Sequence, residues 1–230
     1  MIVLGFDTAT PATAVAVLRQ DGRAFEVRHD PAPGERPGHA GRLLALIEQV
    51  LAESELGWEP VQRLAVGTGP GTFTGLRIGV ATARALAQAR DLELVGVSTL
   101  RTLAEGAREA MPEAHFVLAV LDARRGEAFA AGWDGSREAL APAALAPDAL
   151  AEALANLPAG PLAVGDGAVK FRSTLERAGA AIPADGSPLH RVAARHLCRI
   201  AAGVQAGSRD AVLPEYLRLP DAELTRRAAP

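Results

Sequence analysis

The order in which apolar patterns follow one another constrains the fold of this chain more than any other feature. Three strand patterns come first, and the turn signal Gln20-Asp21-Gly22 joins the second to the third, so these two must pair antiparallel. The strand patterns are Ile2–Phe6, Thr13–Leu18, Ala24–His29, Arg63–Gly67 and Leu92–Val97, and the helix patterns run from His39 to Glu53 and up to about Arg90. This order predicts a three-stranded meander that is extended by parallel strands through helical crossovers.

The second half of the chain repeats part of this order in a looser form. Helix patterns are Thr99–Ala110, Pro147–Asn156, Val169–Arg177 and Arg191–Ala206, and strand patterns are Phe116–Leu121, Glu127–Trp133 and Leu162–Gly165. A strand that ends at Asp122 and is followed by another strand echoes the strand that ends at Asp7, which favours an internal duplication. We therefore predict an N-terminal lobe (1–100) joined by the helix near 190–207, a C-terminal lobe (101–189) and a C-terminal tail (208–230).

Scarce residue types exclude several kinds of site. The chain has a single lysine, Lys170, a single cysteine, Cys198, five histidines and a formal charge of −3. One cysteine cannot form an intrachain disulfide, Lys170 fits no Walker-type phosphate loop, and no His-Glu-x-x-His segment occurs. The negative charge gives no overall electrostatic footprint for nucleic acid. Neither a basic leader nor a charge-free stretch of membrane-spanning length is found, so we expect a cytoplasmic protein without a membrane segment.

A carboxylate and several hydroxyls cluster where the first strand turns into the second. The segment reads Asp7-Thr8-Ala9-Thr10, and side chains of this type at a tight turn can hold a phosphate and its magnesium ion. Asp7, Thr8 and Thr10 are therefore candidate nucleotide-binding residues. The alternative is that Asp and Thr are simply favourable turn residues.

A glycine-rich block, Gly67–Gly79, follows a strand pattern and opens a helix, but its spacing matches neither the P-loop nor the dinucleotide fingerprint. Small residues recur every four positions in the helix, at Gly75, Gly79, Ala83 and Ala87. Glycine inside a helix costs about 1 kcal/mol relative to alanine, so this stripe needs a packing reason. Two explanations remain open: the stripe packs against the chain's own sheet, or it forms a helix–helix contact with a partner subunit.

Six segments in this order resemble the bacterial TsaB (YeaZ) family over essentially the whole chain. They are Phe6-Asp-Thr-Ala-Thr10, the block Gly67–Gly79, Gly96-Val-Ser-Thr-Leu100, Leu121-Asp-Ala-Arg124, Gly165-Asp-Gly167 and Pro214-Glu-Tyr-Leu-Arg218. The resemblance implies an α/β fold of the ASKHA type, the class of actin-like ATPases and sugar kinases. It implies two related lobes, each with a mixed sheet flanked by helices.

The resemblance also implies a role as an accessory subunit. Together with TsaD and TsaE, such a subunit is required for threonylcarbamoyl transfer to adenosine 37 of tRNAs that read codons starting with A. The catalytic TsaD paralogue carries a histidine pair that binds metal, whereas the corresponding segment here, Gly96–Leu103, has no histidine. We therefore expect a non-catalytic chain with no catalytic residues and no metal site. We also expect no tightly bound cofactor, with ATP or ADP and Mg²⁺ bound only in the complex.

In the family, the two helices of the N-terminal lobe contact TsaD. Carried over to this chain, the predicted partner interface comprises Leu43, Ile47, Gly75, Leu76, Gly79, Val80 and Ala83. The resemblance implies a TsaD heterodimer through these helices, tRNA as the substrate of the complex, and a homodimer through the same surface when the chain is alone. Two alternatives of other classes are a small-molecule kinase or ATPase that uses Asp7 and Thr8, and a metallopeptidase, which predicts bound zinc or iron.

Overall fold

The computed structural model describes residues 1–32, 34–157 and 160–218, and it contains two mixed β-sheets. The predicted tail 208–230 lies partly outside the described residues, which end at residue 218. In the described part of the chain, no helix is long and apolar enough to cross a membrane.

The first sheet has five strands. They are β1 (Val3–Asp7), β2 (Thr13–Leu18), β3 (Ala24–His29), β4 (Arg63–Gly69) and β5 (Glu93–Ser98). Their order across the sheet is β3-β2-β1-β4-β5. The first three strands form an antiparallel meander, and β1, β4 and β5 are parallel. The predicted meander with parallel extension is therefore confirmed.

Helices cover both faces of this sheet. They are α1 (His39–Glu53), α2 (Phe73–Arg90) and α7 (Ala194–Ala202). Apolar residues of α1 and α2 share one core with the sheet, whereas α7 belongs to a separate core with Val3, Ala65 and Val97. The helices α1 and α2 thus lie side by side on one face of the sheet, and α7 lies on the other.

The second sheet repeats this arrangement with four strands. They are β6 (Phe116–Arg124), β7 (Glu127–Asp134), β8 (Arg137–Leu145) and β9 (Leu162–Val164), and their order is β8-β7-β6-β9. The strands β6, β7 and β8 form an antiparallel meander, and β9 pairs parallel to β6. The flanking helices are α3 (Thr99–Ala110), α4 (Pro147–Ala155), α5 (Asp166–Lys170) and α6 (Arg172–Arg177). Since β6-β7-β8-β9 reproduces β1-β2-β3-β4, the expectation of two related lobes is confirmed.

Three local predictions were wrong. Strand β8 was missed, the helix predicted over 169–177 is split at Phe171 into α5 and α6, and α7 is shorter than the predicted 191–206. Helix α7 begins only at Ala194, because Arg191 and Ala193 have extended backbone angles and the Glu26 carboxylate accepts the Ala194 N–H. The lobe boundaries at residues 100 and 189 remain a prediction.

Candidate functional site

The Asp7 carboxylate, at the end of β1, is buried, and each of its two oxygens accepts a hydrogen bond from within the chain. Its Oδ1 accepts a hydrogen bond from the Ala9 N–H at 2.7 Å, and its Oδ2 accepts one from the Thr99 hydroxyl at 2.8 Å. Only 1% of Asp7 is exposed. Burial raises the pKa of Asp7 above its ordinary value, while the two hydrogen bonds act in the opposite direction. Asp7 therefore fixes the hairpin turn and connects it to the first turn of α3.

Thr8 packs onto helix α2. Its hydroxyl donates a hydrogen bond to the Gly75 carbonyl oxygen at 2.7 Å, and the residue is 0% exposed. A Cβ at Gly75 would overlap the Thr8 carbonyl oxygen, and a Cβ at Gly79 would overlap the Thr8 hydroxyl. The two glycines are thus required because the hairpin tip lies directly on the helix. The small-residue stripe therefore packs inside the chain's own lobe and not against a partner subunit.

The predicted partner interface is wrong at the level of individual residues. Leu43, Ile47, Gly75, Leu76, Gly79, Val80 and Ala83 are all buried within the chain. The physical reason is that the apolar stripe of an amphipathic helix is the side that packs on its own sheet. A partner subunit cannot reach these residues while the lobe is folded.

A different surface on the same two helices is exposed. Because α1 and α2 lie side by side on one sheet face, their outer sides face solvent together. Leu44 on α1 is 55% exposed. Other exposed small residues on the two helices are Gly41 and Ala45 on α1 and Ala81 and Ala85 on α2. These five residues are called the outer face, and none of them is among the interface residues that the sequence predicted. The signal was present in the spacing of Ala81 and Ala85, which repeats every four positions beside the buried stripe.

The second hairpin carries an ion pair at the position that corresponds to Asp7. Lys170 Nζ lies 2.6 Å from Asp122 Oδ1, and the same oxygen accepts the Arg124 N–H at 2.8 Å. The Asp122 N–H donates to Asp166 Oδ1 at 3.0 Å. Burial raises the pKa of Asp166, and the nearby Asp122 carboxylate adds to this effect. The single lysine of the chain is thus used to neutralise a carboxylate between the lobes.

The two hairpin tips border a narrow cleft of about 20 Å³. Thr10 and Thr72 line it from the first lobe, and Asp122 and Arg124 line it from the second. This volume is about that of one water molecule. Of the three candidate nucleotide-binding residues, only Thr10 reaches the cleft, because Asp7 and Thr8 are turned inward. In this structure the cleft does not fit a nucleotide phosphate with its Mg²⁺.

The polar side chains at the start of α3 form hydrogen bonds within the chain. Thr99 donates to Asp7, the Thr102 hydroxyl donates to the Ser98 carbonyl oxygen at 3.0 Å, and the Ser98 side chain accepts from the Arg101 N–H. Across residues 1–32, 34–157 and 160–218, no group of three or more His, Cys, Asp or Glu side chains is placed to hold a metal ion. Thr99 is a further residue that the sequence reasoning missed, since its partner Asp7 is distant in the chain.

The chain is similar to proteins of tRNA modification. The sequence model of the family described as "TsaD: tRNA N6-adenosine threonylcarbamoyltransferase" matches residues 35–222. The "tRNA threonylcarbamoyladenosine biosynthesis protein TsaB" of Escherichia coli K12 is 41% identical over 129 residues, which is 56% of this chain and 53% of that protein. The protein of the same name from Bacillus subtilis 168 is 30% identical over 132 residues, again 53% of its length. The matched segment thus spans about half the length of these curated relatives.

Other relatives match over nearly the whole chain. An uncharacterised protein of Mycobacterium tuberculosis H37Rv is 31% identical over 227 residues, which is 96% of this chain and 93% of that protein. Among solved structures, a Pseudomonas aeruginosa protein described as similar to peptidase YeaZ has a TM-score of 0.78 at 30% identity, covering 94% of this chain and 99% of that one. The structure described as YeaZ from Pseudomonas aeruginosa has a TM-score of 0.75 at 29% identity, with the same coverage.

Proposed function

The chain belongs to the TsaB (YeaZ) family, within the wider TsaD family of ASKHA-type proteins, and from this we propose that it acts in tRNA threonylcarbamoyladenosine biosynthesis as an accessory subunit. Its partners in this role are TsaD, which performs the transfer to adenosine 37, and the ATPase TsaE. The substrate of the complex is a tRNA that reads codons starting with A, and the complex works in the cytoplasm.

The inward use of the hairpin residues supports a non-catalytic role. Asp7 and Thr8 hold the turn and the helix, and Thr99 at the start of α3 holds Asp7. A group that performs chemistry must reach a substrate atom within hydrogen-bond distance, and these side chains are sealed from the cleft. Catalysis is therefore assigned to the TsaD partner. An isolated chain is expected to bind no nucleotide tightly, and ATP or ADP with Mg²⁺ enters only in the complex.

The outer face is the observation on which the proposed heterodimer rests. Gly41, Leu44 and Ala45 on α1 and Ala81 and Ala85 on α2 are small or apolar residues that are exposed. Small residues allow the backbone of a partner helix to approach closely, and an exposed Leu44 supplies apolar area to bury. TsaD docks here in the proposed complex. In the absence of TsaD, a second copy of the chain docks on the same face as a symmetric homodimer.

A reconstituted transfer reaction tests the proposed function. Purified TsaD and TsaE from the same organism, the enzyme that makes threonylcarbamoyl-adenylate, and unmodified tRNA are combined with and without this chain. Modified adenosine is then quantified by mass spectrometry of the digested tRNA. We expect modification only when the chain is present. Equal modification without the chain would show that it is not a subunit of this reaction.

The kinase or ATPase alternative gains no support from the cleft, which is about 20 Å³ and whose lining residue Asp122 is already paired with Lys170 of the same lobe. Calorimetry with ATP and Mg²⁺ separates the two functions. We expect no tight binding by the isolated chain. Tight binding that is lost in Thr10→Val, the variant of the one nucleotide candidate that lines the cleft, would favour the enzyme.

A further inference from the structure

A segment near the carboxyl end of the chain, residues 208–218, crosses from the first lobe to the second and is called the strap. Its beginning is held by the first lobe. Arg209 donates to the Leu92 carbonyl oxygen at 2.9 Å and pairs with Asp91 at 2.6 Å. Val212 is buried in the core that α1 and α2 share with the first sheet. The strap is therefore anchored on the face of the first sheet that carries α2.

The middle of the strap lies against the turn that leads into α2. The Glu215 N–H donates a hydrogen bond to the Thr68 carbonyl oxygen at 2.7 Å. The Tyr216 ring packs on the ring of Phe73, with the two centroids 5.2 Å apart. Phe73 directly follows Thr72, which lines the cleft between the hairpin tips. The strap thus passes the edge of this cleft on the side of the first lobe.

The far end of the strap reaches the second lobe through a partly buried leucine and an ion pair. Leu217 packs on the core that α3 shares with the second sheet. Arg218 Nη1 lies 3.0 Å from Glu127 Oε2, and Glu127 is paired in register with Arg124, which lines the cleft from the second lobe. An exposed ion pair contributes little to stability, whereas the first-lobe end has a buried side chain and a backbone hydrogen bond. The second-lobe end is therefore the easier one to release.

The two lobes also touch on the opposite face of the first sheet. There α3, which follows β5 directly and packs on the second sheet, lies against α7. The junction of β5 and α3 at Ser98 and Thr99 is the kind of place where a hinge forms, because a few residues at the end of an element can absorb a change in backbone angles. The α3–α7 contact thus lies on one face of the first sheet, and the strap crosses on the other.

We propose that the strap is a clasp that keeps the cleft between the hairpin tips closed. With the strap docked, the cleft has a volume of about 20 Å³ and admits little more than one water molecule. When Leu217 and Arg218 leave the second lobe, the lobes rotate apart about the α3–α7 contact and the cleft widens. The closed arrangement is favoured by the strap contacts, so its population follows the docking of the strap. This inference concerns the isolated chain and does not depend on the proposed function.

Distance measurements between spin labels on the two lobes test the clasp. Labels are attached at Gly41→Cys on α1 and Glu152→Cys on α4, two exposed positions on corresponding helices of the lobes, while Cys198 is fully buried and stays unlabelled. Distance distributions of the labelled full chain are recorded by pulsed electron paramagnetic resonance. We expect one dominant distance when the strap is unmodified. Leu217→Ser combined with Arg218→Ser removes the second-lobe end of the strap and should raise the population of longer distances about tenfold.

Two further variants assign the effect to the strap. Leu213→Ser combined with Arg137→Ser changes the same residue types where they are 58% and 72% exposed, and it should leave the distribution unchanged. Glu127→Gln weakens the ion pair from the second lobe with little change in volume and should also favour longer distances, so it decides the question if the Leu217 and Arg218 variant does not fold. An unchanged distribution in Glu127→Gln or in the folded strap variant, or an equal shift in the control, would overturn the proposal. No TsaD or tRNA is present, so a failure leaves the proposed function untouched.

Discussion

At the tip of the β1–β2 hairpin, the Thr8 carbonyl oxygen lies so close to Gly75 of α2, and the Thr8 hydroxyl so close to Gly79, that glycine fits best at both helix positions. The four-residue spacing of small residues correctly predicted that this helix side needs close packing. It could not identify what packs there, because a hairpin tip and a partner helix place the same demand on the stripe. The contact joins residues that are 67 positions apart, and no local pattern encodes such a distance.

We predict opposite effects for two glycine-to-alanine substitutions in neighbouring helices. Gly75→Ala places a methyl group against the Thr8 carbonyl oxygen, and such overpacking against backbone costs about 1–3 kcal/mol of stability. Gly41→Ala lies in α1 with open space around the added Cβ and should be neutral or stabilise by up to about 1 kcal/mol. Urea unfolding followed by circular dichroism measures both. Similar stabilities for the two variants would mean that the hairpin tip does not lie on α2.

His196 should make the protein less stable in mild acid. Burial lowers its pKa from 6.5 to about 4 in the folded state, so between these values the unfolded chain binds more protons. Stability is therefore fully present above about pH 6.5 and is lost as the pH falls towards 4, by roughly 2–3 kcal/mol. His196→Gln should flatten this slope in urea unfolding curves recorded across the window. An unchanged slope in the variant would assign the acid sensitivity to other groups.

The helices and strands with a strong hydrophobic periodicity were predicted with the same first and last residues that the structure shows. Helices α1 and α3 and strands β2 and β3 begin and end where their patterns do. Strand β8 was missed because it is rich in alanine and contains Pro142. It tolerates this proline because it lies at the sheet edge, where the register shifts beside Ala130 and Gly132. Edge position and register are properties of the assembled sheet and cannot be read from a strand's own residues.

One buried cation connects the end of α7 to the first sheet. Arg63, at the start of β4, has a side chain that is only 6% exposed. It donates to the carbonyl oxygens of Ala201 and Val204 and pairs with Glu93 at 2.6 Å. A cation at the carboxyl end of a helix satisfies carbonyl groups that have no partner within the helix and opposes the negative end of its dipole.

Replacing this cation should weaken the attachment of α7. Arg63→Met keeps apolar length but leaves the two carbonyl oxygens without their donor, so we expect a loss of about 3 kcal/mol in the free energy of unfolding. The control Arg137→Met alters an arginine whose side chain is 72% exposed and should change stability by less than about 0.5 kcal/mol. Equal effects of the two variants would contradict this role of Arg63.

For the whole molecule, the two lobes repeat one topology but use it differently. In the first lobe the residues at the hairpin tip pack on α2, and in the second the corresponding Asp122 pairs with Lys170. The order of strands and the six segments were enough to predict this architecture. The partner surface was assigned to the buried side of α1 and α2 because periodicity marks the apolar stripe of a helix, whereas the outer face appears only once the helices are packed on their sheet.

The affinity of the chain for TsaD tests the central claim most directly. Calorimetry with TsaD from the same organism compares Ala81→Arg, on the outer face, with Ala155→Arg, which alters an exposed alanine on α4 of the other lobe. We predict that Ala81→Arg weakens binding about 100-fold, since a charged side chain then stands in an apolar helix contact, and that Ala155→Arg binds like the wild type. Wild-type affinity in Ala81→Arg, or no binding of TsaD by the unmodified chain, would contradict the account.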